Sequence, residues 1–232
     1  MARDFKTRLT RRAAKAGVFL DEELAAALAS YYDLLSRWNR KINLTALDNP
    51  DEAIDRLLLE PVIAAKAIAG PGSRELMDVG SGGGSPAIPL ALALGADVRL
   101  TMVEVKARKS AFLREAVRQL GLRGAFVETS RHEELLARPE LLEKFDLLSL
   151  RAVRVEPKIL MTLQAFIRPG GQLLLFRGPA GPEHLQVIHP LAWESTHPLV
   201  ETLQSRLSIL RKRSSGAGVP RGTLPLNRPI AH

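Results

Sequence analysis

Cysteine is absent from this chain of 232 residues. Its absence excludes a disulfide framework, a thiolate metal site and any covalent mechanism that depends on a cysteine nucleophile. Four of the five histidines, His184, His189, His197 and His232, do not have the spacing of a set of metal ligands. The sequence therefore predicts no metal site.

Long apolar runs are also missing, although hydrophobic residues make up 46% of the sequence. No stretch reaches the roughly 18–20 uninterrupted apolar residues of a membrane-spanning helix. The N-terminal segment, MARDFKTRLTRRAAKAG, is basic and lacks the apolar core of a signal peptide. We therefore expect a cytoplasmic protein without a membrane partner, and we expect it to be a monomer.

Acidic residues are scarce at both ends of the chain, whose net charge is +8. Residues 1–16 contain six basic residues and one acidic residue, and residues 206–232 contain six basic residues and no acidic one. The chain between these ends is therefore slightly acidic. Basic ends suit a polyanionic partner such as RNA, because neutralised phosphates release their counterions. The alternative is that they only keep the protein soluble.

From residue 76 onward, short apolar runs alternate with helical stretches. The pattern predicts strands at 76–79, 98–104, 125–129, 145–150 and 172–176, and helices at 86–94, 106–120, 131–142 and 157–166. Such alternation is typical of a doubly wound, mostly parallel α/β sheet. Ligands of these sheets bind at the carboxyl ends of the strands.

The first 70 residues have a different pattern and predict an N-terminal helical extension. Helices are expected at 21–47 and 50–68, the first with an apolar stripe formed by Leu24, Leu28, Tyr31, Leu35 and Trp38. Residues 69–73 read as a turn or linker. We therefore expect a helical segment at 1–70 packed on the core, an α/β domain at 71–212, and a basic flexible tail at 213–232.

A glycine-rich loop follows the first strand of the α/β pattern, with glycines at 80, 82, 83 and 84. Glycine lets a ligand approach the backbone closely. Glu104 ends the second strand, twenty residues past Gly84, where a carboxylate can accept hydrogen bonds from ribose hydroxyls. These features predict a nucleoside cofactor at the loop.

Two cofactor classes compete for this loop, because residues 82–87 also satisfy the G-x-G-x-x-(G/A) pattern of NAD enzymes. Asp78 would place a carboxylate beside the pyrophosphate of a dinucleotide, and the two anions would repel. S-adenosylmethionine carries an ammonium and a sulfonium, so an acid at this position favours it. Pro86 also removes a backbone donor from the helix start that would bind a phosphate. The loop therefore favours the methyl donor.

Several segments together resemble the bacterial family of small-subunit ribosomal RNA methyltransferase G, also called the glucose-inhibited division protein B family. The segments that carry the resemblance are 38–45 (W-N-x-x-x-N-L-T), 78–82, 106–113 (K-R-x-x-F-L), 130–133, 151–153 (R-A-V) and the tail 219–225. The resemblance implies a class I, Rossmann-like methyltransferase that makes 7-methylguanosine in 16S ribosomal RNA. The implied cofactor is S-adenosylmethionine, and the implied partner is 16S ribosomal RNA or the small ribosomal subunit.

The resemblance also implies a set of site residues. Transferred by position, the cofactor contacts are Gly80, Ser85, His132, Glu133 and Arg151, with Glu104 at the ribose, and the loop itself adds Asp78 and Gly82. Arg151 is expected to position the reactants, and no general base is expected because guanine N7 already has a lone pair. For the RNA substrate we expect Asn43 and Arg56 beside the base, and Arg11, Arg12, Lys212, Arg213 and Arg221 as further contacts.

The chain departs from the family pattern on the substrate side. The family has R-H-x-x-D-S where this chain has Arg56-Leu57-Leu-Leu-Glu60-Pro61, and Ser85 stands where a bulky apolar residue is usual. Two alternatives therefore stay open: a methyltransferase of the same fold that acts on another RNA or a small molecule, and an RNA-binding relative without catalysis.

Overall fold

The computed structural model describes residues 2–46, 49–68, 74–151, 155–179 and 186–214. Five strands run parallel: β1 (Arg74–Val79), β2 (Val98–Val103), β3 (Ala125–Glu128), β4 (Phe145–Arg151) and β5 (Ile167–Arg177). Two more, β6 (Leu191–Pro198) and β7 (Arg206–Lys212), complete a sheet in the order β3-β2-β1-β4-β5-β7-β6, with β7 antiparallel to both neighbours. The predicted mostly parallel α/β sheet is confirmed.

Seven α-helices are described: α1 (Ala2–Lys15), α2 (Glu22–Ile42), α3 (Pro50–Ala53), α4 (Glu60–Ala67), α5 (Ala87–Leu94), α6 (Ala107–Leu120) and α7 (Pro157–Leu163). A π-helix, Ile54–Leu59, joins α3 to α4, and short 3₁₀ turns occupy Glu134–Ala137, Pro139–Leu141 and Glu201–Leu203. Among the residues so described, no helix is long and apolar enough to cross a bilayer.

The apolar core lies on both faces of the sheet. On one face, Leu28 of α2, Leu58 of the π-helix and Leu113 of α6 belong to one buried cluster. On the other face, Leu160 and Leu163 of α7 pack in a second buried cluster. The N-terminal helices therefore share a core with one face of the sheet. The predicted boundary at residues 70/71 lies outside the described residues.

Helix α2 is delimited by its capping residues. Asp21 accepts a hydrogen bond from the Leu24 N–H at 2.8 Å, which is a standard N-cap. The helix ends at Asn43, whose φ of 48° is left-handed. The side chain of Asn39 then accepts from the N–H groups of Leu44 and Thr45, at 2.6 and 2.8 Å. The W-N-x-x-x-N-L-T segment is thus a helix terminus, and the helix predicted to run to residue 47 is shorter.

Pro61 explains the geometry of the π-helix. Proline has no N–H, so the carbonyls four and five residues before it, those of Leu57 and Arg56, receive no hydrogen bond from this position. Both accept from side chains of the α/β domain instead: Ser85 Oγ donates to the Leu57 carbonyl at 2.8 Å, and Arg151 Nη1 donates to the Arg56 carbonyl. The helix is therefore tied to the glycine loop and to the end of β4.

The N-terminal basic segment forms helix α1, which packs on the rest of the chain. Leu9 and Ala13 of α1 are buried. Arg12 forms a bidentate contact with the buried carboxylate of Asp55, with its Nε 2.7 Å from Oδ1, and Arg8 Nε lies 2.6 Å from Asp51 Oδ1. The Arg12 side chain is 21% exposed and pairs with Asp51 and Asp55, so the RNA contact predicted for it stays a prediction that this pairing disfavours.

Two other predictions from the sequence are corrected. Residues 131–142 are not an α-helix: Arg138 is extended before Pro139, which splits the segment into two 3₁₀ turns. Strand β5 was predicted to begin at residue 172, but it begins at Ile167 and runs through Gly170 and Gly171. A Cβ on Gly171 would lie 2.9 Å from the Phe145 carbonyl, so glycine permits close approach of β4. Strands β6 and β7 and helix α1 were not predicted.

Candidate cofactor and substrate site

The glycine loop begins at the carboxyl end of β1, between the ends of β2 and β4. The N–H groups of Gly80 and Ser81 both donate to the Val103 carbonyl, at 2.9 and 3.1 Å. Gly80 has a φ of +75°, and a Cβ built there would meet nothing within 4 Å. The backbone at Gly80 therefore faces open space, which leaves room for a ligand to approach it.

Asp78 lies beneath this loop and is 1% exposed. Its Oδ1 accepts a hydrogen bond from Ser149 Oγ at 2.5 Å, and the two residues are partners in the β1–β4 register. Its Oδ2 is buried and has no hydrogen-bond partner. Burial raises the pKa of Asp78 to about 6, against the lowering effects of Ser149, Ser81 and Arg151. Such a carboxylate gains from a cationic ligand.

Glu104 follows β2 and is 6% exposed. Its Oε2 accepts from the Gly82 N–H at 2.9 Å and its Oε1 from the Lys106 N–H at 2.8 Å. Each carboxylate oxygen has a second acceptor site, so the ribose contacts predicted for Glu104 remain available.

Two cavities meet at Gly80, which lines both. One, of about 270 Å³, is lined by Glu104, Val105, Ser130 and His132 among others. The other, of about 310 Å³, is lined by Arg56, Glu60, Ser85 and Arg151 among others. The first volume lies just below, and the second just above, the lower limit of about 300 Å³ for small-molecule sites. We call the first cavity the nucleoside half of the cleft and the second the substrate half.

A buried charge cluster forms one wall of the substrate half. Arg151 Nη2 lies 3.0 Å from Glu60 Oε2, and the two side chains are 14% and 5% exposed. The Arg151 guanidinium lies 4.9 Å from the centroid of the Phe176 ring. Burial raises the pKa of Glu60 while Arg151 opposes that effect, and burial lowers the pKa of Arg151. The glutamate that departs from the family pattern is thus the partner of the arginine that matches it.

A basic surface borders the loop. It is formed by the exposed residues Arg40, Lys41, Lys106 and Arg108 and the half-buried Lys109, from α2 and the start of α6; we call it the α2–α6 basic surface. Among the described residues, none of these five forms an ion pair with a carboxylate. Lys109 Nζ lies 4.0 Å from the position of a Cβ on Gly82, which places this surface beside the cleft. Trp38 and Phe112 join the two helices through an edge-to-face contact at 5.7 Å.

Comparison with known proteins decides the family. A family model described as rRNA small subunit methyltransferase G matches residues 24–196. The chain is 39% identical over 179 residues to the Ribosomal RNA small subunit methyltransferase G of Stenotrophomonas maltophilia, covering 77% of this chain and 80% of that protein. The protein of the same name from Geobacter sp. is 33% identical over 186 residues, covering 80% and 83%. This chain belongs to that family.

A solved structure agrees with the fold. The crystal structure of a SAM dependent methyltransferase from Aquifex aeolicus covers 72% of this chain and 95% of its own, with a TM-score of 0.55 and 17% identity. Membership of the methyltransferase G family confirms the predictions of a Rossmann-like fold, methyltransferase activity and S-adenosylmethionine as cofactor.

The residues of the cleft fit S-adenosylmethionine. The unpartnered Oδ2 of Asp78 suits an ammonium, the open backbone at Gly80 suits close approach, and the free acceptor sites of Glu104 suit a ribose. These residues would hold the methyl donor, whose sulfonium supplies an activated methyl group. Among the residues the structure describes, no cluster of three His, Asp or Glu side chains could hold a metal ion.

The other predicted cofactor residues lie around the same cleft. Gly82 donates to Glu104, and His132 lines the nucleoside half, with its Nδ1 3.2 Å from Glu133 Oε2. Ser85 lines the substrate half, but its hydroxyl is used by the Leu57 carbonyl. The structure therefore brings these predicted residues together, with Ser85 holding the π-helix in place.

The predicted RNA residues are scattered. Arg56 lines the substrate half, and Asn43 is exposed beside Lys106. Lys212 is 6% exposed, and its Nζ lies 2.8 Å from Glu143 Oε1, so an RNA contact by this residue is wrong. Arg213 follows β7 at the opposite edge of the sheet, because β7 runs antiparallel to β5. Arg11 is exposed on α1, and Arg221 lies outside the described residues.

Sequence reasoning missed several residues of the site. Tyr31 was assigned to an apolar stripe, but its hydroxyl donates to the Gly83 carbonyl and fixes the loop. Glu60 and Arg177 were given no role, although both line the substrate half. A charged residue next to a proline inside a helical pattern, as in Glu60-Pro61, is a signal that could have singled out Glu60.

Proposed function

We propose that the protein transfers a methyl group from S-adenosylmethionine to N7 of a guanine in 16S ribosomal RNA. The observation that carries the proposal is the composition of the substrate half, where guanidinium groups line the cavity at the end of β4. Of the two carboxylates nearby, Glu60 lies against the Arg151 guanidinium and Asp78 accepts a hydrogen bond from Ser149. Guanine N7 suits this site as an acceptor, because it has a lone pair and no proton to lose and so needs no general base.

The residues of the chain would act by orientation. Arg151 is held by the Arg56 carbonyl, Glu60 and the Phe176 ring, so its guanidinium has a fixed position at the end of β4. Alignment of acceptor, methyl carbon and sulfur is the main requirement of an in-line displacement. A fixed guanidinium beside the acceptor supports that alignment and disfavours a protonated acceptor.

The α2–α6 basic surface supports an RNA substrate. Unpaired exposed cations beside the cleft can neutralise phosphates of an RNA strand whose target base enters the substrate half. Apart from that of Lys212, the RNA contacts predicted for the chain termini stay predictions, since most of the C-terminal tail lies outside the described residues. An rRNA substrate is consistent with a cytoplasmic location, and the monomeric state stays a prediction that sedimentation would check.

The test uses small ribosomal subunits from a bacterial strain that lacks its own methyltransferase of this family. Incubation with the purified protein and labelled S-adenosylmethionine should label 16S ribosomal RNA at one guanine, mapped by chain cleavage specific for 7-methylguanine. Labelling at another atom or another RNA would support the alternative target. Tight S-adenosylhomocysteine binding without labelling of any RNA would support the non-catalytic alternative.

A further inference from the structure

Unpartnered buried polar atoms are concentrated around one cleft. Seven buried side-chain nitrogen and oxygen atoms of the described residues have no hydrogen-bond partner: Arg56 Nε, Glu60 Oε1, Asp78 Oδ2, Ser130 Oγ, Arg151 Nε and Nη2, and Arg177 Nη2. Asp78 lies beneath the glycine loop and Ser130 lines the nucleoside half. The other five atoms belong to four residues that line the substrate half. Such atoms are rare and costly in folded proteins, so their concentration indicates a polar ligand.

The four residues of the substrate half offer both kinds of hydrogen-bonding group. Arg56, Arg151 and Arg177 offer donors, and Glu60 Oε1 offers an acceptor, although the nearby Ser205 side chain also acts on the Glu60 carboxylate and lowers its pKa. Arg151 Nη2 lies close enough to Glu60 for charge attraction but is not aligned as a hydrogen bond, so it also retains an N–H to donate. A phosphate has acceptors only and would be repelled by Glu60. The cluster therefore suits a ligand whose edge carries both donors and acceptors.

Guanine has such an edge. Its O6 and N7 are acceptors, while N1–H and the 2-amino group are donors. A carboxylate accepts from N1–H and the 2-amino group together, and a guanidinium donates to O6, which leaves N7 free to react. Adenine has no N1–H and no 2-amino group, so it would leave the Glu60 carboxylate without a donor.

The position of Glu60 is fixed before any ligand binds. Pro61 leaves the Arg56 carbonyl free for Arg151, and Arg151 in turn lies against Glu60. Glu60 itself is 4% exposed, so water gives its carboxylate little solvation. A rigid, desolvated carboxylate discriminates strongly between a base that donates to it and one that does not.

We propose that Glu60 is the residue that selects guanine, by accepting hydrogen bonds from N1–H and the 2-amino group of the target base while Arg56 donates to O6. This inference rests on the proposed function, and it assigns a specificity residue to the same site.

The test measures binding of guanosine, inosine and adenosine 5′-monophosphates to protein that is saturated with S-adenosylhomocysteine, by NMR titration. The three probes share ribose and phosphate, so any contact of the phosphate with the basic surface is common to all. Inosine lacks the 2-amino group, and the wild-type protein should bind it about 10-fold more weakly than guanosine. In Glu60→Gln, guanosine and inosine should bind with nearly equal affinity.

Glutamine keeps an acceptor for Arg151, so Glu60→Gln should fold. The comparison of guanosine with inosine in the wild-type protein needs no variant, so it tests the proposal even if Glu60→Gln does not fold. The matched control is Glu52→Gln, because Glu52 Oε1 lies 3.9 Å from Arg56 Nε, but the Glu52 side chain is 41% exposed and does not line the cavity. This variant should keep the wild-type preference for guanosine.

Three results would overturn the assignment: no preference for guanosine in the wild type, an undiminished preference in Glu60→Gln, or weakened S-adenosylhomocysteine binding with the base preference intact. The last result would assign the carboxylate to the ammonium of the cofactor. If methylation of 16S ribosomal RNA persists while the base preference does not depend on Glu60, only this inference fails. If the protein labels no guanine in 16S ribosomal RNA, the proposed function fails.

Discussion

Burial of the Asp78 carboxyl group should affect both the stability of the fold and the binding of the cofactor, and Asp78→Asn tests both effects. In the free protein, Asp78 Oδ2 has no hydrogen-bond partner, and burial raises the pKa from 3.8 to about 6. When the cofactor binds, its ammonium favours the ionised form. The same group is therefore expected to make folding and cofactor binding respond to pH in opposite directions.

The magnitude follows from the pKa. A shift from 3.8 to about 6 corresponds to about 3 kcal/mol between the two ionisation states. The folded protein binds this proton more tightly than the unfolded chain, so the contribution is stabilising at low pH and is lost as the pH rises through about 6. Between pH 5 and pH 8 the loss is about 1.4 kcal/mol. At pH 5 only about a tenth of the folded molecules carry the ionised group, so cofactor binding should be about tenfold weaker than at pH 7.5.

Urea denaturation of the free protein at pH 5 and pH 8, with calorimetric titration of S-adenosylhomocysteine at pH 5 and pH 7.5, measures both effects. In Asp78→Asn both should disappear, and binding at pH 7.5 should be weaker than in the wild type. Asp146→Asn is the control, because Asp146 lies at the amino edge of the same sheet, where it accepts from the Glu75 N–H. If wild-type affinity does not change with pH, or Asp78→Asn keeps the tenfold dependence, the electrostatic account of the loop is refuted.

Three further predictions test other parts of the structure. Arg108→Gln should weaken RNA binding and lower the salt dependence of the association constant by about one phosphate contact, while cofactor affinity stays unchanged. Arg118→Gln is the control, because Arg118 is on the same helix but is paired with a carboxylate, and it should leave RNA binding unchanged. Ser85→Ala should lower the free energy of unfolding, measured by urea denaturation, by about 1–2 kcal/mol, because it leaves the Leu57 carbonyl unpaired. The same substitution should cost less in a Pro61→Ala background, because alanine restores a backbone N–H. Additive effects of the two substitutions would contradict this expectation. Lys212→Met should change thermal stability without changing RNA affinity. A lower RNA affinity of this variant would support the RNA contact that the sequence predicted for Lys212.

The features predicted correctly from the sequence are those that local pattern and parallel topology determine together. Apolar runs mark β1, β2 and β4 as buried strands, and parallel neighbours bring their carboxyl ends to one edge of the sheet. Asp78, Gly80, Glu104 and Arg151 lie at or just beyond such ends, so they could be placed in one cleft before any coordinates were known. The contacts of these residues could not be predicted from the sequence. Ser149, for example, lies next to Asp78 only because of the register between β1 and β4.

The features that sequence reasoning missed depend on pairings between distant segments. Strand β6 is an edge strand with mostly half-buried or exposed residues, so it lacks the apolar pattern that marks a central strand. Helix α1 was not predicted, because the net charge of the N-terminus does not show that Arg8 and Arg12 form ion pairs with Asp51 and Asp55, some forty residues later in the chain. The same limitation applies to Lys212, whose partner Glu143 lies in the turn that precedes β4.

The departures from the family pattern fit together as one local arrangement. Pro61 withholds an N–H from two carbonyls, and the side chains that take its place are Ser85 and Arg151, which is also the partner of Glu60. Leu57, Glu60, Pro61 and Ser85 are among the positions at which the chain differs from the family pattern. Leu57 lies in the π-helix, Glu60 and Pro61 directly follow it, and Ser85 donates to the Leu57 carbonyl. Since π-helical turns occur frequently at functional sites, the contacts of Ser85 and Arg151 with this turn couple the changed positions to the wall of the substrate half.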